Sequence, residues 1–399
     1  MNSTISPEAA WQLGRSHPMK RPLVSICLPN RNTLTYLPER IETIFQQTYQ
    51  DWEIVVSDNF SDHGAWAFFE AIAKKDRRVS IEQAPKEGIY ANWNNCIRRA
   101  RGKYIYIATS DDTMAEDCLE KLVTALEKHP EFDLAHCQLQ AEGEGGQAMN
   151  NWWQKGSVFA RSSGRLMDSP HVRLAPFDGL LHLYGETVYI SVTQLLIRRS
   201  LFERVGLFES KWGSIGDFHW VMRATLVANT IHVPDTWGGW RQHTAQATHQ
   251  AGVGTDEHRQ RVEEMIDDVL SKSGGVISEN VLSQLRRGWR GRFRSRSAFL
   301  RDLKQLSNPW KKVAYLLKQI LRLSESGWAF ILSNLGLYKS GDKSFVIPLL
   351  EWVSNGRMPR SSRRAVQDAC GGWFLKKSWT YRKRHSFERQ WKGNLQGKF

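Results

Sequence analysis

The feature that most constrains this chain is a rhythm. From Leu23 to Leu139, short apolar runs alternate with segments of helical spacing. Leu23–Leu28 reads as a strand ended by Pro29, Glu53–Ser57 as a second, Val79–Glu82 as a third and Tyr104–Ala108 as a fourth, with Asp133–Leu139 continuing the series. β-Branched and aromatic runs of this length, bounded by polar residues, are the pattern of buried strands. Between them lie Tyr36–Gln47, Ala65–Lys74, Tyr90–Ala100 and Glu116–Lys128; in the first, Leu37, Ile41, Ile44 and Phe45 share one helical face. Strands alternating with helices predict an α/β fold with a mostly parallel sheet covered on both faces.

In an open sheet of this kind, ligands bind beyond the carboxyl ends of the strands. The fourth strand stops on Thr109-Ser110-Asp111-Asp112. Two adjacent carboxylates raise each other's pKa, and a hard divalent cation removes that cost. The pair therefore either meets a cation such as Mn²⁺ or Mg²⁺, or caps the helix that begins near Ala115. Asp58 follows the second strand and faces the same edge, where it either accepts from a nucleobase N–H or closes an Asx turn. Pro29, Asn30 and Asn32 end the first strand there. Gly88, Asn92 and Asn94 surround the start of the next helix, whose N-terminus favours phosphate or is simply capped by them.

After Leu139 the rhythm breaks. Residues 141–187 are Gly-rich, carry Trp152-Trp153 and show no period, the mark of a functional or unstructured segment. A strand at Val192–Ile197, helices at Ser200–Val205 and Asp217–Ala228 and a strand at Ile231–Val233 restore order. The 399 residues suffice for two or three domains. We expect a tail over 1–21, a sheet-based domain over 22–255 and a basic, mainly helical region over 256–399. Within the last, Ser283–Leu323 carries twelve Lys and Arg against Asp302 alone. The net charge of +14 points to an anionic partner. RRGWRGRFRSRSAFLR interleaves arginine with Trp289, Phe293 and Phe299, which suits an anionic membrane surface or a solvated basic helical domain packed on the rest, and nucleic acid less well. Five scattered cysteines argue against both a disulfide framework and a zinc site. With no apolar N-terminal region and no uncharged stretch of the ~20 residues needed to cross a bilayer, we expect a cytoplasmic protein, peripheral on the inner face of the plasma membrane.

LVSICLPNRN, EIVVSDNFSD, EGIYANWNNCIRRARGKYIYIATSDD, LLIRRSLFERVGLF, GDFHWVMRA and WRQHTAQAT occur in the order seen in family-2 glycosyltransferases, and residues 22–248 resemble that family. The resemblance implies a GT-A fold, a nucleoside-diphosphate sugar donor (a UDP-sugar first), a divalent cation, and inversion at the sugar carbon during transfer to a glycan or lipid-linked acceptor in cell-surface polysaccharide synthesis. It implies that Asp58 contacts the base, with Asn30 and Asn32 beside it. Asp111 and Asp112 resemble the metal and ribose motif, Asp112 as first choice for the metal and Asp111 near the ribose, although Thr109 stands where the commoner motif has a carboxylate. Asp217 resembles the general base, with Arg223 nearby, and His243 resembles a histidine near the metal or diphosphate. The other reading of Asp217 is an ordinary N-cap, and of the whole chain a non-catalytic sugar-nucleotide or glycan-binding protein that keeps the fold.

Overall fold

The computed structural model describes residues 22–149, 170–173, 175–183, 187–244, 246 and 255–273, together with Asn308. The first half follows the expected alternation: β1 (Val24–Asn30), α1 (Leu37–Phe45), β2 (Trp52–Asp58), α2 (Ala65–Lys75), β3 (Val79–Gln83), α3 (Ile89–Arg99), β4 (Tyr104–Ile107), α4 (Cys118–Lys128) and β5 (Leu134–Glu142). Then come β6 (His171–Arg173), α5 (Phe177–Leu183), β7 (Leu195–Arg198), α6 (Arg199–Val205), α7 (Gly216–Thr225), β8 (Thr230–Arg241) and α8 (Asp256–Lys272). One sheet runs in the order β3-β2-β1-β4-β7-β5-β8-β6. The β3-β2-β1-β4 half is parallel, as is β5 with β8, whereas β7 runs antiparallel between β4 and β5 and β6 lies antiparallel on β8.

Two apolar cores sandwich the sheet. Leu37, Ile41 and Ile44 of α1, Phe69 of α2, and Leu119, Leu122 and Leu126 of α4 cover one face. Tyr90, Trp93 and Ile97 of α3, Leu201 and Phe202 of α6, and Trp220 and Met222 of α7 cover the other. Val262, Met265, Ile266 and Val269 of α8 belong to that second core, so the boundary expected at 255 falls inside the packed unit. β8 is much longer than the expected Ile231–Val233. Pro234 cannot donate to a ladder, and the register slips there from Cys137↔Val233 to Gln138↔Trp237, after which the strand resumes to Arg241. β1 likewise runs through Pro29 to Asn30, since its partner β2 continues to Asp58. Among the described residues no helix is long and apolar enough to cross a membrane. The tail 1–21, Trp152-Trp153 and the Arg286–Arg301 run lie outside the described residues.

Candidate active site

The carboxyl ends of β1, β2 and β4 meet at one edge, and parallel register sets Asn30 directly against Asp58. Asp58 is fully buried. Its Oδ1 accepts from Asn30 Nδ2 at 2.7 Å and Ser61 Oγ at 2.6 Å, and its Oδ2 from the Ser61 amide at 2.9 Å. The side chain thus closes the turn from Asp58 to Ser61, reaching one residue further than an Asx turn, while Oδ2 keeps acceptor capacity. Asn32 is held in the left-handed region at φ 56° and braces the same turn, its Oδ1 accepting from the Asp62 amide at 2.8 Å. Pro29 is buried within β1 opposite Ser57.

Asp111 and Asp112 diverge. Asp112 turns inward and is 3% exposed. Its Oδ1 accepts from the Arg241 amide at 3.0 Å and its Oδ2 from the Thr109 hydroxyl. Burial first, and the neighbouring Asp111 charge second, push the Asp112 carboxyl well above the usual carboxylate range. Asp111 faces outward, and its Oδ2 lies 2.9 Å from His243 Nε2. Asp112, the expected first metal ligand, is the more buried of the pair and gives one lone pair on each oxygen to a protein donor, so Asp111 is the more open carboxylate. Thr109, where the commoner motif has a carboxylate, is one of those donors.

Two glycines of β8 allow close approaches, Gly239 to the aspartate loop and Gly238 to the segment before β7. A Cβ on Gly239 would lie 2.0 Å from Thr113 Oγ1, and one on Gly238 would lie 2.3 Å from the Thr193 carbonyl oxygen. With that room, the Gly239 amide donates to the Thr113 carbonyl at 2.9 Å and the strand delivers Arg241 and His243 to the loop. Arg241, 2% exposed, donates from Nε to the Asp111 carbonyl at 2.9 Å, from Nη1 to the Glu144 carbonyl at 3.1 Å and from Nη2 to Glu39 at 2.6 Å. It ties three segments together. Sequence reasoning gave it no role, and its only signal is its place two residues before His243. Tyr36 packs against both, its ring 4.8 Å from that of His243 and 5.3 Å from the Arg241 guanidinium carbon.

Asp217 lies in the first turn of α7, inside the helix rather than at its N-cap, which is Ile215. Its Oδ1 accepts from the Tyr90 hydroxyl at 2.8 Å and the Phe218 amide at 2.8 Å. Burial raises its pKa and the Tyr90 hydrogen bond opposes the rise. α3 links this corner to the end of β1, because Asn92 Nδ2 donates to the Asn30 carbonyl at 3.3 Å. Asn94 stands apart from that edge. Its amide donates to the Phe208 carbonyl at 2.8 Å and accepts from the Phe208 amide at 3.1 Å, which fixes the loop after α6. Arg223 is also structural here, donating to the carbonyls of Val205 and Leu207, both at 2.8 Å.

A hard cation needs oxygen or imidazole donors with open lone pairs. Asp111 and His243 supply a carboxylate and an imidazole nitrogen in contact, a set that Mn²⁺ or Mg²⁺ fits if phosphate oxygens complete the shell. Among the described residues, Glu209, His219 and Asp268 also converge. There Lys211 and Lys272 already lie within 3.0 Å of both carboxylates, so protein cations fill that cluster.

Residues 25–206 match the model described as glycosyl transferase family 2. The chain is 38% identical over 101 residues to glycosyltransferase GlyG of Streptococcus pneumoniae, covering 25% of this chain and 34% of that protein. It is 27% identical over 124 residues to TuaG of Bacillus subtilis, a glycosyltransferase named for teichuronic acid biosynthesis, covering 31% of this chain and 49% of TuaG. The chain thus spans half or less of the length of these two relatives. In fold it is similar to residues 1–349 of S. aureus TarS, crystallised with UDP-GlcNAc, at a TM-score of 0.54 and 16% identity over 76% of this chain and 82% of that one. The ordered motifs and the family match place residues 25–206 of this chain with glycosyl transferase family 2, on a sheet similar in fold to that of TarS.

Proposed function

We propose that the protein is an inverting glycosyltransferase that moves a sugar from a nucleoside diphosphate to an acceptor hydroxyl. The observation that carries the reading is an outward carboxylate–imidazole pair at the sheet edge, together with a half-buried carboxylate of raised basicity, Asp217, tied through α3 to the end of β1. Asp58 and Asn30 form the base-binding corner. Asp111 and His243 would hold the divalent cation, and Asp112 acts from behind by fixing the loop through Thr109 and the Arg241 amide. The cation, Mn²⁺ or Mg²⁺, would neutralise charge on the departing diphosphate. Asp217 takes the proton of the acceptor hydroxyl as the new bond forms, because that hydroxyl is a poor nucleophile in its neutral state. Direct attack inverts the sugar carbon and needs one base, unlike the carboxylate pair of many glycosidases.

The TarS complex with UDP-GlcNAc supports a uridine donor, and the name of TuaG supports a cell-surface glycan as acceptor. The basic-aromatic run at 286–301 suits an acceptor presented at an anionic membrane surface. Calorimetry of UDP binding with and without Mn²⁺ tests the site. Asp111→Asn should lose the Mn²⁺ dependence of UDP affinity in a folded protein. Asp217→Asn should bind UDP and Mn²⁺ normally yet transfer at least ~10²-fold more slowly. Transfer by Asp217→Asn at the wild-type rate would remove the base, and Mn²⁺-dependent binding without any transfer by the wild type would favour a sugar-nucleotide-binding protein.

A further inference from the structure

Tyr90 lies in the first turn of α3 and is 1% exposed. Its ring stacks on Phe208 at 5.7 Å and meets Trp93 edge-on at 5.1 Å. Asn94, one helical turn further on, clamps the Phe208 backbone from both sides, so the stack is fixed from the same helix. The phenol ends 2.8 Å from Asp217 Oδ1 and 3.1 Å from the Ser214 carbonyl oxygen. A phenol has one proton to donate, and the carboxylate is the stronger acceptor. Packing alone would not need the hydroxyl, and a buried one is costly without a partner.

The residue before Asp217 is shaped to this contact. A Cβ on Gly216 would lie 2.6 Å from Tyr90 Cε2 and 2.9 Å from the Glu209 carbonyl oxygen. Any side chain at 216 would therefore press on the ring from one side with backbone behind it. Among the described residues, Asp217 Oδ2 takes no hydrogen bond, while Oδ1 takes two. One oxygen is anchored and the other is left for an acceptor hydroxyl.

We propose that Tyr90 is the positioning residue of Asp217, holding the carboxylate by Oδ1, in its charged form, so that Oδ2 faces the acceptor. The inference rests on Asp217 being the base. In the reaction the acceptor proton passes to Oδ2 while Tyr90 keeps its own proton, because burial and the Asp217 charge hold the phenol well above its usual pKa. Loss of the hydroxyl withdraws a donor that favours the charged carboxylate, so the acid midpoint of Asp217 must rise.

The test is Tyr90→Phe in the full chain, which keeps the ring and its stacking. The Asp217 carboxyl resonance, assigned by its disappearance in Asp217→Asn, is titrated by carbon NMR. The midpoint should rise by about one pH unit, the size of one hydrogen bond to a charged group. UDP affinity with Mn²⁺ should stay unchanged, and the acid limb of UDP release from UDP-GlcNAc should move up with the titration. An unchanged Asp217 midpoint in folded Tyr90→Phe overturns the proposal, as does a moved midpoint with an unmoved acid limb. Should Tyr90→Phe not fold, the wild-type Tyr90 hydroxyl proton decides: it should resonate downfield and move upfield in Asp217→Asn, and no movement overturns the contact. Undiminished turnover by Asp217→Asn would fell the base reading, while the titration would still report on the Tyr90 contact.

Discussion

His182 offers a sharp test of how burial sets the acid stability of this fold. It is fully buried in α5, and among the described residues neither ring nitrogen has a hydrogen-bond partner. Its ring packs 5.3 Å from Tyr189 and 5.6 Å from Phe218. Burial pushes its pKa down to about 4; Asp178 raises it and Arg173 lowers it, both less than burial does. An unfolded histidine titrates near 6.5. The folded chain therefore binds fewer protons than the unfolded chain between those values. Stability is full above pH 6.5 and is lost as the pH falls toward 4. At about 1.4 kcal/mol per pH unit, His182 alone should cost about 2 kcal/mol between pH 8 and pH 5. His182→Leu removes the titrating group at similar volume. Urea unfolding followed by tryptophan fluorescence, at pH 8 and pH 5 for both proteins, isolates the effect, since any packing change cancels in the difference. The variant should lose about 2 kcal/mol less than wild type on acidification, with His136 and His219, whose pKa values burial also depresses, keeping part of the slope. Equal acid sensitivity of the two proteins would refute the reasoning.

Asp178→Asn should destabilise the domain by about 3–5 kcal/mol in urea, because Arg173, 1% exposed, would lose the carboxylate that both balances its charge and accepts from its Nε at 2.8 Å; a change under about 1 kcal/mol would count against it. Asp58→Ala should weaken UDP binding by about 1–3 kcal/mol in calorimetry, and equal affinity would take Asp58 out of the site. Asn94→Ala should show the reverse pattern, with a lower melting midpoint from two lost hydrogen bonds to Phe208 and unchanged UDP affinity. Asp112→Asn should keep Mn²⁺-dependent UDP binding where Asp111→Asn loses it; loss in both at equal stability would restore Asp112 as a ligand.

Local chemistry determined much of this protein. Apolar runs such as Ile105–Ala108 have no stable place but inside a sheet, and helices between them force parallel neighbours, so β1 to β4 and the edge that gathers Asn30, Asp58 and Asp111 were legible from the residues. Asp217 stood out through its motif, though not through its surroundings. What the sequence withheld depends on which chains meet across the fold. Adjacent residues on a turn point in different directions, and only β8 passing over the loop shows that Asp112 faces the Arg241 amide while Asp111 faces His243. β8 itself was hidden past Pro234, where a bulge lets the strand resume that local pattern would end. Asn92 and Asn94 look equivalent in a helix start, yet lie on opposite sides of α3, one toward Asn30 and the other toward Phe208. Tyr90 looked like one more apolar helix residue; that its hydroxyl meets a carboxylate 127 residues away follows from packing α3 against α7, a contact no periodicity encodes.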